Sequence, residues 1–217
     1  MKITLPKIYP ITDRELSGLS HSEQVEQFAS AGATLIQVRD KSGSSGEFYD
    51  DVTRSVEIAH RHGVRLIVND RVDIAMMTGA DGVHLGQDDL PPSAARKLLG
   101  DKAIIGFSTH SLEQAKDALT QGVADYIAFG PIFATSTKVD HDPIVGLQQL
   151  KQIRRNIGDF PLVAIGGISA TSIASVIGAG ADSAAMISEF YRQNMTIAER
   201  FRMIATTSQT TNNVVKS

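Results

Sequence analysis

Cysteine is absent from this 217-residue chain, which excludes disulfides, thiolate metal sites and a cysteine nucleophile. Such a composition suits a reducing cytosol, and a cytoplasmic location is expected. A basic excess is also absent: 21 Lys and Arg stand against 24 Asp and Glu, a formal net charge of −3. No global field recruits nucleic acid, so function must be sought in local sites. Residues 1–10 hold Lys2 and Lys7 but lack the apolar stretch of a secretory signal. No apolar run is long enough to span a bilayer, and no membrane partner is expected. A G-x-G-x-x-G after the first predicted strand is missing too, which counts against an open, doubly wound nucleotide-binding sheet.

What is present is a regular alternation. Apolar, β-branched runs predict strands over 8–12, 34–38, 65–69, 82–85, 103–108, 126–130, 161–165 and 183–187. Several, such as LIQV, RLIV and AIIGF, are apolar almost throughout, as parallel strands covered on both faces are. Amphipathic stretches lie between them. Ser20 and Glu23 read as a capping box, Ser111 and Gln114 as another helix start, and Ser169 as the cap of a helix bearing Ile173, Val176 and Ile177. A weak internal repeat (AGATLIQV, TGADGVHL, QGVADYIAFG, GAGADSAAMIS) opens the second, fourth, sixth and eighth strands. Eight such units with no change of composition predict an α/β fold, a single-domain (β/α)8 TIM barrel over residues 1–205. Residues 206–217, rich in Thr, Ser and Asn without periodicity, read as a polar, solvated tail.

In such a barrel the active site lies at the C-terminal ends of the strands. Polar residues gather just past the predicted strands. Gln37, Arg39 and Lys41 alternate at period two, which brings two cations and an amide to one side and suits a diphosphate. Asn69 and Asp70 follow the third strand, and Asp89 follows the fourth. Hard carboxylates without a histidine cluster favour Mg2+, although Asp70 and Asp89 also stand where helix N-caps would. Gly166 and Gly167, with Ser188 after strand eight, could cradle a phosphate on backbone N–H groups. The loop Thr135, Ser136, Thr137, Lys138 adds hydroxyls and an ammonium, or is merely a polar loop. His110 is either an acid/base or a structural rim histidine, and His84 reads as a packed strand residue. Two anion sites on one rim point to two phosphorylated small molecules, one with a diphosphate that leaves.

The motifs YPITD, QVRDK, VNDRVDIA, GADGVHLGQDDLP, IGFSTHS, FGPIFATSTK, VAIGGI and MIS occur in that order between Tyr9 and Ser188. Together they resemble the thiamine-phosphate synthase family. The resemblance implies a transferase that joins a hydroxymethylpyrimidine diphosphate to a thiazole phosphate, giving thiamine phosphate and pyrophosphate. It implies that Gln37, Arg39, Lys41, Asn69, Ser108 and Lys138 hold the pyrimidine diphosphate, with Ser108 and Lys138 serving catalysis. Asp70 and Asp89 would bind Mg2+, while Thr135, Ser136, Thr137, Gly167, Ile187 and Ser188 would hold the thiazole phosphate. It further implies that pyrophosphate departs before the thiazole nitrogen attacks, with the pyrimidine amine stabilising the cation. The rivals are a thiazole tautomerase on the same barrel and a non-catalytic thiamine-precursor binding protein. Lys41, Asp70, Asp89 and the TSTK segment argue for the synthase, because a tautomerase has no diphosphate to ionise and a binding protein has no leaving group to activate.

Overall fold

The computed structural model describes residues 3–41, 43–135, 143–191 and 194–214, with side chains as far as residue 207. Eight parallel strands follow one another around a barrel: β1 (Ile8–Pro10), β2 (Leu35–Val38), β3 (Arg65–Asn69), β4 (Gly82–Leu85), β5 (Ile104–Thr109), β6 (Tyr126–Phe129), β7 (Leu162–Ile165) and β8 (Ser183–Met186). Neighbours pair in sequence order, and β8 pairs with β1. Between β1 and β2 the contact narrows to one bridge, Ile11 with Gln37, where the Thr12 N–H donates to the Gln37 carbonyl at 2.9 Å. Outside the sheet lie α1 (Arg14–Ser17), α2 (His21–Ser30), α3 (Ser45–Arg61), α4 (Val72–Thr78), α5 (Pro92–Leu99), α6 (Leu112–Gln121), α7 (Gly146–Ile157), α8 (Ile173–Gly178) and α9 (Ile197–Val214). No helix among the described residues is long and apolar enough to cross a membrane.

Side-chain alternation divides the core in two. Outward residues such as Ile36, Val38, Leu66, Val68 and Ile127 pack under the helices. Inward residues such as Tyr9, Leu35, Ile67, Tyr126 and Val163 fill the barrel. The internal repeat has a structural cause at the N-terminal ends of the strands. Asp81, Asp125 and Asp182 open β4, β6 and β8. Each uses Oδ2 to accept the N–H of Leu66, Ile105 or Leu162 on a neighbouring strand, at 2.8, 2.8 and 2.9 Å. The same oxygens pair with His60, Arg96 and Arg154 at 3.0, 2.7 and 2.6 Å. The repeated aspartate therefore staples β4, β6 and β8 each to the odd strand before it; β2 has Thr34 at that position.

Ser20 and Glu23 form the predicted capping box, and the Ser111 hydroxyl accepts the Gln114 N–H at 3.1 Å. Two expectations need correction. Ser169 does not cap α8, which begins after Ser172; the Ser169 carbonyl instead accepts the N–H groups of Ser172 and Ile173, both at 3.1 Å, in a turn ahead of the helix. The segment read as a tail from Thr206 continues α9 as far as Val214. There the hydroxyls of Thr206 and Thr207 donate to the carbonyls four residues earlier, at 2.9 and 3.0 Å, so polarity does not end the helix.

Candidate active site

A cavity of about 480 Å³ opens at the C-terminal ends of the strands. That is within the range of small-molecule sites. Gln37, Arg39, Lys41, Asn69, Asp70, Asp89, Ser108, Thr135, Gly167, Ile187 and Ser188 all line it, supplied by the C-terminal ends of β2 to β8 and the loops that follow them. Ser136, Thr137 and Lys138 lie outside the described residues.

One wall is charged and internally strained. Asp70 leaves β3 with φ of 62°, the left-handed region that non-glycine residues seldom adopt. Its N–H bonds to the His84 carbonyl at 2.8 Å, which holds the turn against β4. The turn aims the carboxylate across the mouth instead of at a helix: α4 has Arg71 at its N-cap and no side-chain cap. Asp89 likewise caps nothing, because α5 starts from Pro91. Its Oδ2 accepts the Gly86 N–H at 2.7 Å, folding the loop after β4 back on itself. The two carboxyls meet within hydrogen-bonding reach, and the helix-cap alternative fails for both. Burial, then the neighbouring Asp70, pushes the Asp89 carboxyl above the usual carboxylate range. Lys41 Nζ sits 2.5 Å from Asp70 Oδ2. The half-buried Arg39 guanidinium, facing the same cavity, has no hydrogen-bond or ion-pair partner among the described residues.

No cluster of three or more His, Cys, Asp or Glu able to hold a metal occurs among the described residues. Two crowded carboxylates nevertheless fit Mg2+, which takes one or two from protein and completes its shell with water and substrate phosphate. A divalent ion held by these two carboxylates would offset the burial and the neighbouring Asp70 that raise Asp89.

The floor of the cavity is polar, and its composition escapes a motif reading. Buried His84 places Nδ1 3.0 Å from the Tyr126 hydroxyl and Nε2 2.9 Å from Ser108 Oγ. Burial lowers its pKa to about 4, so it stays neutral at physiological pH. The signal was in the alternation: stepping back by two from the rim through each strand leads to Tyr9, His84 and Tyr126 as inward residues. His110, also on the wall, donates Nδ1–H to the Gly130 carbonyl at 2.8 Å.

The opposite wall is made of backbone. Gly166 and Gly167 have φ of 99° and 63°. A Cβ on Gly167 would stand 2.3 Å from the Ala134 carbonyl oxygen, so only glycine fits where the loops after β6 and β7 touch. Thr135 faces Gly167, Ile187 and Ser188 across this end of the same cavity. The arrangement puts cations and carboxylates on one side and exposed backbone and hydroxyls on the other.

Comparison with known proteins shows the family. The sequence model of a family described as Thiamine monophosphate synthase matches residues 8–190. A thiamine-phosphate synthase of Chloroflexus aurantiacus is 45% identical over 183 residues, 84% of this chain and 83% of that protein. One from Pelotomaculum thermopropionicum is 49% identical over 183 residues, with the same shares covered. Among solved structures, thiamine phosphate pyrophosphorylase from Pyrococcus furiosus superimposes with a TM-score of 0.83 at 32% identity, covering 94% of this chain and 96% of its own.

Proposed function

This chain belongs to the thiamine monophosphate synthase family, transferases of thiamine biosynthesis, and from that premise we propose how its cavity works. The charged wall takes 4-amino-2-methyl-5-hydroxymethylpyrimidine diphosphate, and the glycine wall takes 4-methyl-5-(2-phosphoethyl)thiazole. The products are thiamine phosphate and pyrophosphate. The observation that carries this assignment is the shared cavity: Arg39, Lys41, Asp70 and Asp89 on one side, Gly167 and Ser188 on the other.

Arg39 would grip the diphosphate as a planar fork and Lys41 as a point charge. Asp70 and Asp89 would hold Mg2+, which when bound neutralises charge building on the leaving group. Gln37, Asn69 and Ser108 would orient the pyrimidine ring, and Lys138 would approach the diphosphate from the loop. Backbone N–H groups near Gly167 and Ser188, with Thr135, Ser136 and Thr137, would fix the thiazole phosphate, and Ile187 would pack beside it. The methylene carbon–oxygen bond then breaks, the bonding pair leaves with pyrophosphate, and the thiazole nitrogen supplies the pair for the new bond. The protein acts by positioning both partners and by stabilising departing charge. A tautomerase would have no use for the Asp70–Asp89 pair or for an Arg39 guanidinium without a partner among the described residues.

The test is to mix the purified protein with both substrates and Mg2+ and to measure thiamine phosphate by oxidation to fluorescent thiochrome. Product and pyrophosphate in equal amounts are expected. No product with or without Mg2+ would overturn the assignment.

A further inference from the structure

Five side chains from five strands make one continuous row of hydrogen bonds across the barrel beneath the cavity. Gln37 Nε2 donates to the Tyr9 hydroxyl at 3.2 Å, and the Tyr9 and Tyr126 hydroxyls are 3.1 Å apart. Tyr126 then meets His84 Nδ1 at 3.0 Å, and His84 Nε2 meets Ser108 Oγ at 2.9 Å. The His84 and Tyr126 rings stack, tilted by 20°. Gly106 lies between them in register, and a Cβ there would come within 2.3 Å of the Tyr126 hydroxyl oxygen and 2.5 Å of His84 Nδ1. Only glycine on β5 leaves room for the contact.

The row has one direction. An amide nitrogen only donates, so the Tyr9 oxygen accepts at that end. Tyr9 has one proton left to give. Sending it anywhere but to Tyr126 leaves a buried O–H without an acceptor. Tyr126 in turn gives its proton to Nδ1. A neutral imidazole that accepts at Nδ1 carries its hydrogen on Nε2, which donates to Ser108 Oγ. Both ends of the row line the cavity. At the cavity the row leaves the Gln37 carbonyl oxygen, which only accepts, beside the second amide hydrogen, and at Ser108 the hydroxyl proton with one lone pair.

We infer that Tyr9, Tyr126 and His84 are positioning residues that fix the donor and acceptor polarity of the ring-binding floor, and so select an aminopyrimidine over an oxopyrimidine. An amino-substituted ring offers an N–H to Gln37 and a nitrogen lone pair to Ser108. The oxo ring sets its carbonyl against the Gln37 carbonyl and its ring N–H against the Ser108 proton, so the amide must turn and the hydroxyl must redirect its proton to accept it, and the preference for the amino ring is the cost of remaking both contacts. The selection rests on the pyrimidine reading above; the polarity of the row does not.

Two measurements separate them. In 15N-histidine-labelled protein without substrates, the His84 resonances, assigned by their loss in His84→Gln, should report a bare Nδ1 and a protonated Nε2 at neutral pH. A proton on Nδ1, or on both nitrogens, overturns the inference whatever the protein catalyses. In steady-state kinetics, Tyr126→Phe and Tyr9→Phe should each lower the preference for the amino over the oxo pyrimidine diphosphate about tenfold. The thiazole-phosphate KM should stay unchanged, with folding checked by thermal unfolding. An unaltered preference in a folded variant would also overturn it. A tautomer as expected beside a wild type that makes no product would leave the row standing and remove the synthase reading instead.

Discussion

The two ends of the barrel use the same residue types to opposite effect. At the N-terminal end, Asp81, Asp125 and Asp182 each accept a strand N–H and pair with a basic side chain. At the C-terminal end, Asp70 and Asp89 crowd one another, and the Arg39 guanidinium has no partner among the described residues. Charges satisfied within the chain hold the barrel shut. Charges that conflict within the chain are completed by what binds. Composition cannot distinguish the two, because an aspartate beside a strand occurs at both ends. Geometry can: each lower aspartate joins a neighbouring strand's N–H to a basic side chain, whereas Asp70 is turned away from backbone by a left-handed φ of 62° and Asp89 reaches backbone only at the Gly86 N–H of its own loop.

Breaking the upper end should cost activity and spare stability. Asp70→Asn removes one of the two carboxylates, and Mg2+-dependent turnover should fall more than about 100-fold, since even outer partners of metal ligands are worth 10- to 100-fold. The thermal midpoint should hardly move, because the lost pair with exposed Lys41 is offset by relief of the repulsion with Asp89; a clear drop would place Asp70 with the lower aspartates. Next in size, Arg39→Ala should raise the KM for the pyrimidine diphosphate roughly 10- to 100-fold, the worth of a charged hydrogen bond. An unchanged KM would make Arg39 a solvated rim charge.

Breaking the lower end should do the reverse. Asp125→Ala orphans the Ile105 N–H and the Arg96 ion pair, and urea unfolding should show a loss of about 1–3 kcal/mol. Turnover per folded molecule should hold; if it falls with stability intact, the two ends are not separable. The smallest effect is on pH dependence. With its pKa raised in the fold, Asp89 contributes stability that is complete below the unfolded value of about 3.9 and is lost as pH rises through the folded value. Metal-free Asp89→Asn should therefore lose less stability than the wild type between pH ~4 and neutrality, read from urea midpoints. Parallel pH curves would contradict the crowding of Asp70 and Asp89.

The architecture was legible because each unit marks its own limits. β3 and β4 run over the residues the pattern predicts, Arg65–Asn69 and Gly82–Leu85, since glycines end the preceding helices and polar residues end the strands. The repeat that opened the even strands was visible as letters, but its cause was not, because the aspartate's partners sit on another strand and another helix. The cavity wall was legible at Arg39, Asp70 and Asp89 through position alone. Its floor was not. Tyr9 and Tyr126 are 117 residues apart and meet only through the barrel's register, which no local motif encodes. Ser169 was misassigned as a cap because a serine four residues before Ile173 satisfies the local rule, while the chain first makes a turn.

The central claim is that the upper carboxylates and cations together take a metal-bound diphosphate, and pyrophosphate binding tests it without requiring turnover. Calorimetric titration of the protein with pyrophosphate should show an affinity at least about tenfold higher with Mg2+ than without it, a difference abolished in Asp70→Asn. Equal affinity with and without Mg2+ in the wild type would contradict the account.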